Sequence, residues 1–296
     1  MKMGLIGLGR MGYNMALNLL EHKHTLIVYD VSPKPAKQLA KKGAIPAASV
    51  KEVMDKLPKP RVVWIMIPSK FVESSLKEIT PHLSKGDIII DGGNSYYKDS
   101  IRRYHNLKKK GISFVDVGTS GGISGARHGA CMMIGGDKKS FKKTEALYKD
   151  MCVKNGYGYM GNAGAGHFVK GIHNGIEYGM MGALAEGFLA IEKQQRTFKT
   201  DLKEVAKVYA NGSIIESRLA SWLWEAFQTP GYLNKISCKV PKGETEDEME
   251  KLEKLSPMPV LRAARQMRVN SRKGKVCGNL IAAMRNLFGG HKVIKK

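Results

Sequence analysis

The segment KMGLIGLGRMG, residues 2–12, decides the fold of this chain. Its first half is a short apolar run that predicts a buried strand, and a Gly-x-Gly-x-x-Gly pattern follows. The first glycine of such a pattern permits a tight turn, the second lets a pyrophosphate approach the backbone, and the third allows close helix packing. A helix N-terminus then faces the phosphates, so the segment predicts a dinucleotide site. Its expected residues are Gly7, Leu8, Gly9, Arg10, Met11 and Gly12.

A second apolar run, Thr25–Tyr29, ends in Asp30, 18 residues beyond Gly12. A carboxylate at this position can accept hydrogen bonds from both ribose hydroxyls of an adenosine and repels a 2′-phosphate. We therefore expect NAD as the cofactor, with weaker use of NADP, since Lys34 could reach a 2′-phosphate. The alternative for Asp30 is the N-cap of the next helix.

Strand and helix patterns continue to alternate up to residue 161, which predicts a Rossmann-type doubly wound α/β sheet over residues 1–161. Two glycine-rich loops, Asp91–Ser95 and Asp116–Gly122, follow predicted strands, where such sheets bind ligands. Further strands are expected near residues 61–67, 87–91, 113–117 and 130–134, and helices near 49–56, 71–80, 98–110 and 138–149.

The pattern becomes helical after residue 161, so residues 162–296 predict an all-α domain. Its helices are expected at residues 164–193, 201–209, 214–227, 244–253, 260–269 and 276–287.

The segment 164–193 is a long apolar helix with one polar stripe. Lys170, His173, Asn174, Glu177 and Tyr178 recur at i, i+3, i+4, i+7 and i+8, which places them on one face. A desolvated lysine can serve as a base and a desolvated glutamic acid as an acid, which favours an active-site wall. A structural ion-pair network across a helix seam is the alternative.

The net charge of +23 is high for a metabolic enzyme and typical of proteins that bind nucleic acid. The lysines form short scattered groups, however, so a solvated basic surface is favoured over a nucleic-acid site. No long apolar run or leader is present, which predicts a cytoplasmic protein without a membrane span. The four cysteines have no metal-site spacing, so we expect reduced thiols, no disulfide and no metal.

With these motifs the chain resembles the short form of the decarboxylating 6-phosphogluconate dehydrogenase family, within the β-hydroxyacid dehydrogenases. The resemblance covers nearly the whole chain. Lys-x-x-His-Asn-x-x-Glu-Tyr with the terminal Arg-x5-His is its most specific part. The matching pieces are GLGRMG at residues 7–12, DGGNSYY at 91–97, DVGTSGGISGARHG at 116–129, GAGHFVKGIHNGIEYG at 164–179 and RNLFGGH at 285–291.

The resemblance implies oxidative decarboxylation of 6-phosphogluconate to ribulose 5-phosphate and CO2, a reaction of the pentose phosphate pathway type. Lys170 would remove the C3 hydroxyl proton as hydride leaves C3, and Glu177 would protonate the enediol; Asn174 completes the implied catalytic set. The implied substrate residues are Asn94, which also contacts the cofactor, and Ser120, Gly121, Gly122, His173, Tyr178, Arg268, Arg285 and His291.

Arg285 and His291 resemble the family pair that reaches a neighbouring subunit's site, which implies a homodimer or homotetramer. Read from the residues alone, they are a helix C-terminal charge and a solvated tail residue. Asp30-Val31-Ser32 stands where NADP-using members carry Asn-Arg-Thr, which supports NAD. The segment 235–253 departs from the family pattern, so neither Lys235 nor Lys239 is assigned to the phosphate.

Two alternatives stay open from the sequence. One is another β-hydroxyacid dehydrogenase that acts on a different acid, for which Glu177 would matter little. The other is a basic nucleic-acid-binding protein on the same fold, with a steeply salt-dependent affinity.

Overall fold

The computed structural model of the chain describes residues 1–243 and 245–296. Its backbone divides into one unit over Met1–Lys170 and another over Gly171–Lys296.

Strands and helices alternate through the first unit, as the sequence predicts. The strands are β1 (Lys2–Ile6), β2 (Thr25–Tyr29), β3 (Ile45–Pro46), β4 (Val62–Ile65), β5 (Ile88–Asp91), β6 (Ser113–Ser120), β7 (Ala130–Gly136) and β8 (Cys152–Gly161). The helices are α1 (Arg10–Glu21), α2 (Pro33–Ala40), α3 (Val50–Asp55), α4 (Ser69–Ile79), α5 (Tyr97–Lys108), α6 (Gly122–His128) and α7 (Lys138–Met151).

These strands form one sheet in the order β3-β2-β1-β4-β5-β6-β7-β8. Neighbours pair in parallel except β6 and β7, which are antiparallel. The strand order reverses its direction between β1 and β4, and the carboxyl ends of strands at such a switch point form a ligand crevice. The predicted doubly wound Rossmann-type sheet is confirmed.

Helices cover both faces of this sheet because its parallel strands are apolar on both sides. Successive residues of β4 illustrate the alternation: Val63 joins the core beneath α3, α4 and α5, and Trp64 joins the core beneath α1, α2 and α7. Both side chains are fully buried.

Several elements differ from the sequence expectation. Strand β8 was not predicted, because Gly156, Gly158 and Gly161 weaken its strand signal and its exposed edge position leaves no alternating apolar pattern. The short edge strand β3 was also missed. Helix α6 at residues 122–128 was not predicted, and most of the glycine-rich loop expected over Asp116–Gly122 belongs to strand β6.

The described part of the second unit is helical, apart from an isolated bridge between Ile236 and Lys295. No helix in the described ranges is long and apolar enough to cross a membrane. Helix α8 (Ala165–Lys193) enters this unit, and α9 (Gln195–Phe198), α10 (Leu202–Tyr209), α11 (Arg218–Gln228), α12 (Glu246–Leu252), α13 (Pro259–Arg272) and α14 (Asn279–Gly289) follow. The predicted helix 244–253 corresponds to α12, with Glu244 itself outside the described residues.

The division between the two units falls within α8, later than the domain boundary at residues 161 and 162 that the sequence predicts. The first turns of α8 pack on strands of the first unit, which explains the difference. The predicted boundary stays a prediction about where the dinucleotide domain ends.

A disulfide joins Cys238 to Cys277, so the expectation of reduced thiols throughout was wrong for this pair. The two cysteines stand 39 residues apart in sequence, and spacing alone cannot reveal such a pairing. Cys131 and Cys152 are free thiols, as expected.

Candidate active site

The glycine loop between β1 and α1 has the backbone geometry that its sequence predicts. Gly7 has φ +95°, and a Cβ added there would lie 2.4 Å from the carbonyl oxygen of Met66. A Cβ at Gly12 would lie 2.1 Å from the Gly7 carbonyl oxygen, so α1 can approach β1 only with glycine at that position. A Cβ at Gly9 would meet nothing within 4 Å, which leaves open space for a pyrophosphate at the start of α1.

Asp30 lies against this loop. Its Oδ2 accepts a hydrogen bond from Leu8 N at 2.6 Å, and its Oδ1 accepts one from Ser32 N at 2.8 Å. Ser32 is the N-cap residue of α2, so the alternative of Asp30 as that cap does not hold. The carboxylate is held at the end of β2, where an adenosine ribose lies in dinucleotide-binding folds.

The loop after β5 is fixed by a buried acid. Asp91 is fully buried and accepts hydrogen bonds from Ser95 Oγ at 2.7 Å and from Arg103 Nη1 at 3.3 Å. Arg103 comes from α5 and was not identified from the sequence. Asn94 is exposed at the top of this loop, at the carboxyl end of the strand. Its predicted contact with substrate and cofactor stays a prediction.

The second glycine loop joins β6 to α6. Ser120 is the last residue of β6, and Gly121 and Gly122 have φ of +114° and +61°. Glycine is needed at both positions because other residues rarely adopt this backbone conformation. The sharp turn places the backbone of all three residues at the end of a sheet strand.

Asp116 connects this strand to the start of α8. It is fully buried, and its Oδ1 accepts from Gly164 N at 2.7 Å while its Oδ2 accepts from His167 N at 2.9 Å. The first N–H groups of a helix have no partner within the helix, and they carry partial positive charge. Asp116 therefore caps α8 from a neighbouring strand, a role that the sequence did not indicate.

Two glycines let α8 lie directly on the strands. A Cβ at Gly166 would lie 2.4 Å from the Asp116 carbonyl oxygen and 2.5 Å from that of Met133. A Cβ at Gly118 would lie 2.3 Å from the Cβ of Lys170. The half-buried Lys170 side chain therefore leaves α8 next to Gly118, two residues before Ser120 at the end of β6.

A buried histidine supports the same turn of α8. His167 is 2% exposed, and its Nδ1 lies 2.7 Å from Ser100 Oγ of α5. Its Nε2 is buried and has no partner among the described residues. His167 precedes Lys170 by nearly one turn, so Ser100 and Asp116 both restrain the segment that carries the lysine.

Helix α8 continues without interruption to Lys193, so the predicted polar stripe lies on one helix face. Asn174 and Tyr178 are buried, while His173 and Glu177 are partly exposed. His173 Nδ1 lies 4.0 Å from Glu177 Oε2. These side chains form the part of the predicted site that belongs to the second unit.

Tyr178 lies in a cluster of buried cationic groups. The Cζ atom of Arg268 lies 3.2 Å from the centre of the Tyr178 ring, and the Tyr178 hydroxyl lies 3.1 Å from Thr245 Oγ1. Arg268 is 2% exposed, and its Nε and Nη2 have no partner among the described residues. Burial, with the nearby charge of Arg285, lowers the pKa of Arg268 to about 10.

Arg285 belongs to the same cluster within its own chain. It is 6% exposed, and its Nη1 donates a hydrogen bond to the Pro241 carbonyl oxygen at 2.7 Å. Burial also lowers the pKa of Arg285. Arg268 and Arg285 are buried cations that repel each other, an arrangement that an anion would stabilise.

His291, the other predicted C-terminal residue, is exposed and lies edge-on to the Phe288 ring at 5.7 Å. Lys235 and Lys239 are both exposed. Among the described residues, no group of three or more His, Cys, Asp or Glu side chains could hold a metal ion.

The fold and this site define a nicotinamide-dinucleotide-dependent oxidoreductase, in which a lysine on a helix packs against a glycine in strand β6 of the dinucleotide domain. The family model described as the NAD binding domain of 6-phosphogluconate dehydrogenase matches residues 2–161. The chain belongs to the 6-phosphogluconate dehydrogenase family, and its first unit is an NAD-binding domain.

Relatives match over the full length. The Bacillus subtilis protein YqeC, whose name marks it as an unconfirmed 6-phosphogluconate dehydrogenase, is 44% identical over 299 residues, with 100% of both chains covered. The NAD(+)-dependent, decarboxylating 6-phosphogluconate dehydrogenase of Haloferax volcanii is 34% identical over 302 residues, covering 100% of this chain and 99% of that one.

Solved structures show the same fold. The Plasmodium falciparum 6-phosphogluconate dehydrogenase superposes with a TM-score of 0.84 at 30% identity, covering 93% of this chain and 63% of that one. A Mycobacterium tuberculosis 3-hydroxyisobutyrate dehydrogenase gives a TM-score of 0.73 at 19% identity, covering 97% and 98%. The second likeness shows the fold alone.

Replacing Asp116 by Asn is expected to lower kcat because it loosens the start of α8. The amide keeps one acceptor and turns its NH2 group towards a backbone N–H, which costs about 1–3 kcal/mol of unfolding free energy. A small displacement of Lys170 should then reduce kcat by about tenfold or more. Thermal unfolding and steady-state dehydrogenase kinetics measure the two effects.

Asp87→Asn is the matched control for that substitution. Asp87 is also fully buried, directly before β5, and accepts from Arg61 N at 2.7 Å and Ser84 N at 2.9 Å. It differs from Asp116 in one respect, an added ion pair with Arg61 Nη1 at 3.0 Å. The Asp87→Asn substitution should lower the free energy of unfolding. It should leave kcat unchanged at a temperature where both variants are folded. An equal fall of kcat in both variants would contradict the assigned role of Asp116.

Proposed function

We propose that the chain oxidises and decarboxylates 6-phosphogluconate to ribulose 5-phosphate and CO2, with NAD preferred over NADP. The observation that carries this proposal is the packing of Lys170 on Gly118, at the strand that leads into Ser120. A base placed near the carboxyl end of a strand in an NAD-binding domain suits removal of a hydroxyl proton during oxidation. Full-length relatives that bear this activity in their names support the choice of reaction.

Lys170 is the proposed base for the first step. Its neutral amine accepts the proton of the C3 hydroxyl group, and NAD, when bound, supplies the chemistry that accepts the hydride from C3. The product is a β-keto acid, whose carbonyl oxygen then receives a hydrogen bond from the protonated amine of Lys170.

Loss of CO2 follows from that hydrogen bond. The electron pair of the C1–C2 bond moves into the enediol, whose oxygen takes the proton of Lys170, so no metal ion is needed to hold the charge. Glu177 then donates a proton to the carbon that becomes C1 of the pentulose, while Lys170 takes back the hydroxyl proton. Two proton carriers therefore complete the reaction.

Glu177 follows Lys170 by about two helical turns, or about 11 Å along the axis. Their shared helix face, with His173 and Asn174 between them, is long enough to present the base and the acid to one extended sugar acid. Ser120, Gly121, Gly122 and Asn94 are the proposed partners of its carboxylate and hydroxyl groups.

The buried cluster of Tyr178, Arg268 and Arg285 is proposed to bind the substrate phosphate. A phosphate dianion accepts forked hydrogen bonds from guanidinium groups, and Arg268 keeps buried donors without a partner among the described residues. This feature favours a phosphorylated acid over the unphosphorylated substrates of other β-hydroxyacid dehydrogenases. It gives the nucleic-acid alternative no support.

A homodimer or homotetramer belongs to the proposal. In the single chain, Arg285 already lies with Arg268 and Tyr178, so no second subunit is needed to bring it there. The exposed His291 is the remaining candidate for a residue given to a neighbouring subunit's site.

Lys170→Ala is expected to abolish NADH formation from 6-phosphogluconate, and Glu177→Gln to lower kcat by about 100-fold or more, as for loss of a general acid. Absorbance at 340 nm and CO2 release measure turnover. Lys193→Ala and Glu186→Gln change exposed residues of the same helix in the same way and should behave like the wild type. Undiminished turnover in Lys170→Ala would refute the assignment.

Asp30→Asn is expected to raise the KM for NAD and lower that for NADP. The amide no longer repels a 2′-phosphate and accepts only one ribose hydroxyl group, so the ratio of kcat/KM values should shift towards NADP by about tenfold. Asp55→Asn, at an exposed site of the same unit, should leave this ratio unchanged. A ratio unaffected by Asp30→Asn would mean that other residues select the cofactor.

A further inference from the structure

The segment Ser237–Gly243, here called the strap, lies where the sequence departs from its family pattern. It has the sequence SCKVPKG and belongs to the second unit. The exposed Lys239 in the strap and the exposed Lys235 just before it have no role assigned from the sequence.

The strap is fastened at several points. Cys238 forms the disulfide with Cys277, and the Cys238 carbonyl oxygen accepts from Gly278 N at 2.8 Å. Val240 is fully buried, and its N–H donates to Ser271 Oγ at 3.0 Å. The strap is therefore joined to the end of α13 and to the residues that precede α14.

The close fit of the strap excludes side chains at its edge. A Cβ added to Gly278 would lie 2.4 Å from Val240 Cγ2 and 3.2 Å from the Cys238 carbonyl oxygen. Glycine next to the disulfide lets the two backbone segments meet. The crosslink thus restrains Val240 and the residues that follow it directly.

Arg285 lies against the far end of the strap. Its Nη1 donates to the Pro241 carbonyl oxygen at 2.7 Å, and a Cβ at Gly243 would lie 2.8 Å from its Nη2. The guanidinium group is therefore hydrogen-bonded to the strap at Pro241 and lies close to it at Gly243. A buried cation next to Arg268 needs such fixed acceptors, because the repulsion between the two charges would otherwise separate them.

A second ion pair braces the same assembly. Arg272 Nη1 donates to the Val240 carbonyl oxygen at 3.2 Å and to Glu246 Oε2 at 3.1 Å. Glu246 is 5% exposed and forms an ion pair with Arg272. Arg272 therefore connects the strap to α12 and leaves Arg268 and Arg285 for an anion.

We infer that the strap is a positioning element for Arg285, and that the Cys238–Cys277 disulfide sets the affinity of the chain for the phosphate group of its ligand. The inference deepens the proposed function and rests on it for the identity of the ligand. Cys238, Cys277 and Pro241 act through Arg285, which is the residue proposed to touch the phosphate.

The disulfide makes this affinity sensitive to thiols. A dithiol gives two electrons and two protons to the S–S bond, which yields two cysteine thiols while the dithiol closes to its own disulfide. A low-molecular-weight disulfide restores the bond by the reverse exchange. Cys238 is exposed, so the reagent can reach the disulfide. A reducing cytoplasm would favour the form in which both cysteines are thiols.

The first experiment compares the oxidised and the reduced full-length protein. The protein is treated with oxidised glutathione or with dithiothreitol, and its thiols are counted with a chromogenic reagent. Both samples are counted in denaturant, so that every thiol can react. Two thiols are expected in the oxidised form, from Cys131 and Cys152, and four in the reduced form. Four thiols after oxidation would overturn the inference.

The second experiment measures affinity in both forms. Reduction should raise the KM for 6-phosphogluconate and the Kd for inorganic phosphate by about tenfold, the effect of one charge-assisted hydrogen bond, with kcat and the KM for NAD nearly unchanged. Cys238→Ser with Cys277→Ser should match the reduced wild type and ignore dithiothreitol. Cys131→Ser with Cys152→Ser should respond as the wild type does.

The two measurements separate this inference from the proposed function. Phosphate binding that weakens on reduction, in a protein that does not turn over 6-phosphogluconate, supports the strap and refutes the function. Normal turnover with KM and phosphate Kd indifferent to complete reduction refutes the strap alone. Because reduction of the wild type needs no mutation, poor folding of the double serine variant would not prevent the test.

Discussion

The carboxylate of Asp116 holds the N-terminus of α8, and the placement of the proposed base depends on it. A fully buried carboxylate is costly unless its charge is compensated. Here the compensation comes from the N–H groups of Gly164 and His167 and from the positive end of the helix dipole. The acid and the helix end therefore stabilise each other, and the first turns of α8 become part of the dinucleotide unit.

Glycines make that attachment possible. Gly118 and Gly166 remove the side chains that would keep helix and strands apart, and the Cβ of Lys170 then rests on β6. A larger residue at either position would need to displace backbone atoms, which tolerate no such movement in a packed sheet. Glycine is costly within a helix, and at Gly166 this contact with the strands is the reason that only glycine fits.

In the second unit the electrostatic pattern is the reverse. Arg268 and Arg285 are both buried, and burial together with the charge of Arg285 lowers the pKa of Arg268. Glu246, a buried acid of the same unit, forms its ion pair with Arg272. Buried guanidinium groups without an acid partner reduce stability, and the proposed substrate phosphate would supply the missing negative charge. The strap and its disulfide hold this unfavourable arrangement together in the absence of that ligand.

The sequence by itself determined the features that depend on local spacing. The loop at Gly7, the acid at Asp30 and the polar face of α8 follow from turn stereochemistry and from the periods of strand and helix, which act over a few residues. The tertiary structure alone decided the contacts of Asp116 with α8, of Ser100 with His167 and of Cys238 with Cys277. Each joins residues that are 39 or more positions apart, and no local pattern records which distant partners the packing of the sheet and helices will bring together.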